Sequence, residues 1–203
     1  MVNRLVVARS EFILGGQKSG KSRRAEMLAR DWLARSAGHQ AVLIATAQPW
    51  DEEMRERITR HQLDRAARVP GMSTVEEPLA LADAIARNSA ADTLVVVDCM
   101  TLWLTNLLMP ADAAGGEGKK NESKGAGIEC QKAQSAMVLR AIQGAAGPVV
   151  LVGNEIGLGV IPMGRETRAF VDALGSLNQR IAASCERVTL MVAGLPLVLK
   201  GQP

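Results

Sequence analysis

Residues 15–22 read Gly15-Gly16-Gln17-Lys18-Ser19-Gly20-Lys21-Ser22 and satisfy G-x-x-x-x-G-K-[ST] at every fixed position. Glycines let the chain wrap a phosphate with backbone N–H groups turned inward, and a following helix N-terminus adds positive potential. In such a loop Lys21 reaches the β- and γ-phosphates and the Ser22 hydroxyl ligates Mg²⁺. The chemistry is phosphoryl transfer from a nucleoside triphosphate.

That chemistry needs a carboxylate for the cation. Asp98 closes the apolar run Leu94-Val95-Val96-Val97 and is the candidate. Asn154-Glu155 follows the run Val149–Val152, at the edge where open parallel sheets bind ligands; a structural cap is the equal alternative. Of the two histidines, His61 lies in a charged stretch between Arg60 and Arg65, and alone it reads as an ordinary surface histidine. His39 reads the same way. Arg165 and Arg168 are expected to be solvated. Cys99, Cys130 and Cys185 are an odd number without C-x-x-C spacing. That disfavours a disulfide framework or zinc site and suits a reducing cytoplasm, with each cysteine a small buried hydrophobe.

The elements that must hold these residues alternate. Glu11–Leu14 predicts a strand before the phosphate loop, and Ala25, Leu28, Ala29, Trp32 and Leu33 mark one apolar helix face behind it. Trp32 is expected in the core. Ala41–Ala45 predicts a buried strand, and 51–68 a charge-rich helix facing solvent. Pro70-Gly71 breaks that helix, and Pro78 begins another that runs to about Arg87. Leu94–Val97 and Pro148–Val152 read as interior parallel strands. Phe170, Ala173, Leu174, Leu177 and Ile181 mark a helix, and Val188–Ala193 and Leu197–Leu199 supply the last strands. Residues 110–127 are rich in Gly and charge and are expected as a flexible loop. The expectation is an α/β fold with a phosphate-loop NTPase core: a doubly wound, mostly parallel sheet with helices on both faces. Residues 1–10 form an N-terminal extension and 11–203 a single domain.

The 203 residues are 47% hydrophobic but only 2% aromatic, so Leu, Val, Ile and Ala must fill the core. No apolar run reaches the roughly 18–20 residues that span a bilayer. The net charge of +3 comes from scattered Lys and Arg, which gives nucleic-acid binding little support. A cytoplasmic protein is expected.

Gly15–Ser22, Asp98-Cys-Met-Thr-Leu-Trp-Leu-Thr-Asn-Leu-Leu108, Gly153-Asn-Glu-Ile-Gly-Leu-Gly-Val-Ile-Pro162, Leu177-Asn-Gln-Arg180 and Val192-Ala-Gly-Leu-Pro196 together resemble the bifunctional adenosylcobinamide kinase/adenosylcobinamide-phosphate guanylyltransferase family of cobalamin biosynthesis. The resemblance runs in order from about Phe12 to Lys200. It implies that ATP or GTP phosphorylates the aminopropanol hydroxyl of adenosylcobinamide. GTP then transfers GMP to that phosphate, giving adenosylcobinamide-GDP and pyrophosphate. In the family a histidine in an Arg-Ile-x-x-His-x-x-x-Arg helix carries the guanylyl group, which here reads Arg57-Ile-Thr-Arg-His61-Gln-Leu-Asp-Arg65. His61 becomes the implied nucleophile, a role a neutral imidazole can fill near pH 7. The resemblance also implies nucleotide contacts at Thr46, Ala47, Gln48, Gln62, Leu63, Asp64, Arg65, Glu76 and Asp98, and a homotrimer.

Lys18 departs from the family's usual Arg, losing a bidentate fork. The stretch 69–73 is longer than usual, which loosens the placement of Glu76. Two rivals remain: a small-molecule kinase with no covalent step, and a nucleotide-dependent switch that binds GTP without chemistry on a small molecule.

Overall fold

The computed structural model describes residues 5–109 and 122–202. Strands and helices alternate: β1 (Ser10–Gly15), α1 (Lys21–Leu33), β2 (Gln40–Ala45), α2 (Glu52–Arg68), β3 (Ser73–Glu76), α3 (Leu81–Asn88), β4 (Thr93–Asp98), α4 (Met100–Leu108), α5 (Glu122–Gly144), β5 (Val149–Asn154), α6 (Arg165–Ser184), β6 (Arg187–Val192) and β7 (Leu195–Lys200). One seven-stranded sheet has the order β3-β2-β4-β5-β1-β6-β7. Only β7 is antiparallel, folded back on β6 through Ala193 and Gly194, which both adopt positive φ.

The continuous apolar runs serve two cores at once, because successive side chains point to opposite faces. Phe12, Leu14, Val95, Val97, Val149 and Leu151 join one core with α3, α4, α5 and α6. Ile13, Leu94, Val96, Val150 and Val152 join the other with Ala25, Leu28 and Ala29 of α1. The doubly wound, mostly parallel sheet expected from the sequence is therefore present, with helices on both faces. Among the described residues no helix is long and apolar enough to cross a membrane.

Several details differ from expectation. The short edge strand β3 pairs with β2 where only a chain break was expected. At this edge β-pairing needs only four residues and no apolar run, so no periodicity announces it. Helix α3 starts at Leu81 rather than Pro78, because the Glu77 carboxylate accepts the N–H groups of Leu79 and Ala80 and holds the intervening turn. Residues 122–127, expected as loop, are the first turns of α5; residues 110–121 lie outside the described residues. Trp32 is half-buried at the margin of its core. Its ring stacks on His39 with centroids 3.9 Å apart, and its Nε1 donates to the carbonyls of Gln40 and Asp92. An indole N–H needs a partner, and these carbonyls hold it at the rim. Cys99 and Cys185 are buried as expected, but Cys130 is exposed on α5. The N-terminal extension is tied to the domain: the Leu5 N–H donates to Asp31 and the Val6 carbonyl accepts from Arg187.

Candidate functional site

The phosphate loop leaves the carboxyl end of β1 in the middle of the sheet. Gly15, at φ 153°, lies so close to Met191 that a Cβ would stand 2.5 Å from its carbonyl oxygen. Gly20, at φ 99°, turns the chain into α1 as a left-handed N-cap with no side-chain cap, leaving the first helical N–H groups free for an anion. Between them Gly16, Gln17 and Lys18 are exposed, with Lys18 at φ 55°. Ser19 is buried, and its hydroxyl has no hydrogen-bond partner among the described residues.

Lys21 is only 8% exposed, and its Nζ donates to the Gly16 carbonyl at 2.6 Å, folded back inside the loop. Burial lowers its pKa below the ordinary lysine value; neighbouring Cys99 and Asp98 oppose that shift, and the Arg57 charge reinforces it. Asp98 and the Arg57 guanidinium are therefore both within electrostatic reach of the loop.

The sheet register explains Asp98. Across the carboxyl edge Glu76 aligns with Ala45, Ala45 with Asp98, Asp98 with Val152, and Val152 with Ile13. Asp98 and the base of the phosphate loop are two strands apart, about 10 Å. Thr46 ties this edge together: its hydroxyl donates to the Cys99 carbonyl at 2.8 Å and accepts the Cys99 N–H at 2.9 Å. The Asn106 amide donates to the carbonyls of Thr46 and Pro78, fixing the chain that leads to Ala47 and Gln48, both half-buried. Ser22 and Asp98 are half-buried. Their side chains make no hydrogen bond or ion pair among the described residues.

Helix α2 has no buried residue and is capped at its start by Asp51. His61 is exposed. Arg57, His61, Asp64 and Arg68 recur at helical spacing and form one stripe. Arg68, at the end of that stripe, reaches Glu26 on α1 at 2.8 Å, so the stripe faces α1. The neighbouring face carries Gln62, Arg65 and Ala66, which with Met72, Thr74 and Glu76 line a cleft of about 340 Å³. Arg65 also donates to the Thr74 hydroxyl. The structure thus brings Gln62, Arg65 and Glu76 together. Leu63 and Asp64 fall outside that group: they line a separate groove with Glu52, Arg55 and Arg60, and Asp64 pairs with Arg68.

Sequence reasoning gave no site role to Asn106, Asn178, Glu26 or Arg68. The first two carried a signal, as amides set in otherwise apolar helix faces. The long-range Arg68–Glu26 pair carried none. Arg168 is exposed, as expected, and also donates to the carbonyls of Pro162 and Met163.

Residues 11–199 match the family described as cobinamide kinase / cobinamide phosphate guanyltransferase. The chain is 45% identical over 193 residues to the bifunctional adenosylcobalamin biosynthesis protein CobP of Pseudomonas aeruginosa, covering 95% of this chain and 98% of that protein. It is 36% identical over 190 residues to the bifunctional adenosylcobalamin biosynthesis protein CobU of Salmonella typhimurium, covering 93% and 98%. A solved structure, the flagellar accessory protein FlaH of Methanocaldococcus jannaschii, is similar at TM-score 0.48 and 12% identity, over 97% of this chain and 80% of its own. With nearly its whole length matched and a phosphate loop, an edge carboxylate and a histidine-bearing helix set around one sheet edge, this chain belongs to the cobinamide kinase / cobinamide phosphate guanyltransferase family, enzymes with both activities.

Proposed function

We infer that the protein phosphorylates the aminopropanol hydroxyl of adenosylcobinamide with ATP or GTP. It then transfers GMP from GTP to that phosphate through a guanylyl group on His61, as a step of adenosylcobalamin biosynthesis. The observation that carries the covalent step is the Arg68–Glu26 pair, which turns the His61 stripe toward α1. Both helices return from parallel strands and so run in the same general sense. His61 is seven residues before Arg68, about 10 Å along α2, and Lys21 five residues before Glu26, about 8 Å along α1. The imidazole is therefore nearly level with the phosphate loop.

In the first reaction the loop N–H groups and α1 hold the triphosphate, and the Lys21 ammonium follows the charge of the transferring group. Ser22 and Asp98 fit Mg²⁺: both offer hard oxygen donors, unoccupied by protein partners, at one sheet edge. Held by these two residues, Mg²⁺ would supply charge neutralisation for the transferring phosphates. In the second reaction the His61 imidazole attacks the α-phosphorus, pyrophosphate departs, and the phosphate of the first product displaces the histidine. Gln62, Arg65 and Glu76 are suited to the guanine, since a carboxylate and an amide complement its donor and acceptor edge. The protein is further read as a homotrimer; the exposed Leu195, Leu197 and Leu199 on β7 suit a subunit contact, and light scattering in solution tests it.

Incubation with α-labelled GTP, before any corrinoid is added, tests the covalent step. The protein should take up GMP and release pyrophosphate. The label should be acid-labile, because protonating nitrogen makes imidazole a good leaving group. His61→Ala should lose the label while His39→Ala keeps it. Labelling that survives in His61→Ala, or resists acid, places the nucleophile elsewhere.

A further inference from the structure

The three strands that end beneath the triphosphate site are β1, β5 and β4, in that spatial order. β1 delivers the phosphate loop and β4 delivers Asp98. Between them β5 runs into Glu155, whose backbone N–H donates to the carbonyl of Gly15, the first loop residue, at 3.1 Å. Its carboxylate is held at both ends. Oε1 accepts the Gly157 N–H at 2.8 Å, and Oε2 lies 3.4 Å from the Asn178 amide nitrogen. Asn178 is 4% exposed, also donates to the Asn154 carbonyl at 3.1 Å, and leaves its own Oδ1 without a partner among the described residues. A buried amide spent on orienting one half-buried carboxylate is costly unless that orientation matters.

Glu155 also opens the segment 155–164, where Leu158, Val160, Ile161 and Met163 are 77–97% exposed. Glu155 thus joins the phosphate loop, through its backbone, to an apolar lip, with its carboxylate fixed by Gly157 and Asn178. We propose that Glu155 is the general base of the kinase half-reaction, receiving the proton of the acceptor hydroxyl, with the apolar lip beside it receiving the acceptor's macrocycle. This rests on the phosphorylation reading given above.

In the step, the hydroxyl oxygen forms a bond to the γ-phosphorus, and the bond from that phosphorus to the β–γ bridging oxygen breaks. The electron pair leaves on the nucleoside diphosphate, and the hydroxyl proton passes to the Glu155 carboxylate. The guanylyl transfer needs no such base, because its acceptor is an already ionised phosphate. Asn178 acts through Glu155 and is a positioning residue.

The test uses the full chain and its Glu155→Gln variant, which keeps size and can still accept the Gly157 N–H, but loses the acceptor facing Asn178 and takes up no proton. Each is assayed with adenosylcobinamide plus ATP and, separately, with adenosylcobinamide phosphate plus GTP. The variant should lose kinase kcat by about 100-fold or more, in the range of general-base contributions, and lose the acid limb of the pH–rate profile. Its KM for adenosylcobinamide and its guanylyl transfer should change less than about threefold. Asn178→Ala should lower kinase kcat by about tenfold in the same assay. Unchanged kinase kcat in Glu155→Gln, or equal losses in both half-reactions, overturns the assignment. If the unaltered chain phosphorylates no adenosylcobinamide at all, the functional reading itself fails, an outcome distinct from either.

Discussion

Arg68, in the last turn of α2, holds two carboxylates at once: Nη1 is 2.8 Å from Glu26 on α1 and Nη2 is 2.9 Å from Asp64 on its own helix. The Glu26 side chain is 7% exposed, whereas Arg68 is 44% exposed. Hydrogen bonding to Glu26 raises the arginine's pKa further. For a helix without a single buried residue, this fork is the tether that fixes which face meets α1.

Arg68→Ala should therefore slow self-guanylylation by roughly tenfold while kinase turnover falls less, because misplacement of a reacting group is what a lost positioning contact costs. Arg68→Lys should recover only part of it, since one ammonium cannot grip both carboxylates as a fork does. Stability should fall by about 1 kcal/mol, the low end for a buried group losing its partner, because solvent reaches half of the pair. Rates of α-labelled GTP incorporation and urea unfolding check both parts.

Lys21→Met should abolish phosphorylation yet stabilise the protein without nucleotide. The sign follows from the lowered pKa, caused first by burial. The unfolded state then binds more protons than the folded one between the depressed folded pKa and the ordinary value of 10.5. Below that window the buried charge costs stability, and raising the pH through it relieves the cost. The variant should melt on the order of 1–3 °C higher at neutral pH, and its advantage should shrink as pH rises through the window. A lower melting temperature would mean that the contact with the Gly16 carbonyl outweighs the burial cost.

Asp98→Asn should leave nucleotide binding measurable but raise the Mg²⁺ concentration needed for phosphorylation by roughly tenfold or more, because the proposed Mg²⁺ site would lose its carboxylate. Chelation with EDTA should stop phosphorylation in the unaltered chain, and added Mg²⁺ should restore it. Identical Mg²⁺ titrations for the two proteins would remove Asp98 from the metal site.

Asn106→Leu should destabilise by about 2–4 kcal/mol, because the carbonyls of Thr46 and Pro78 would both lose their donor. Nucleotide affinity should fall with it, as the chain through Ala47 and Gln48 loosens. Denaturant melts and nucleotide titration at a temperature where the variant is folded measure the two effects.

The sequence by itself determined the phosphate loop, its strand and helix, and the alternating elements that build a doubly wound sheet. These are local facts. A left-handed glycine, an uncapped helix start, a run of Val and Ile, or an amphipathic stripe each depends on neighbours within a few residues. The charged, solvent-facing character of α2 was legible for the same reason. Where local signals were thin the reading missed: β3 is four residues at an edge, Trp32 stops at the rim because its indole meets two carbonyls, and Cys130 sits on the open side of α5.

Only the tertiary structure decided which candidates share a place. Glu76 and Asp98 flank Ala45 through strand register, which depends on pairing between segments far apart in the chain. Gln62 and Arg65 turn toward Glu76 while Leu63 and Asp64 turn away, because Arg68 fixes the rotation of α2 against α1. The aim of Glu155 depends on Asn178, a residue 23 positions later on another element. Such relations depend on long-range packing and buried hydrogen bonds. A linear pattern holds the residues but not the distances between them.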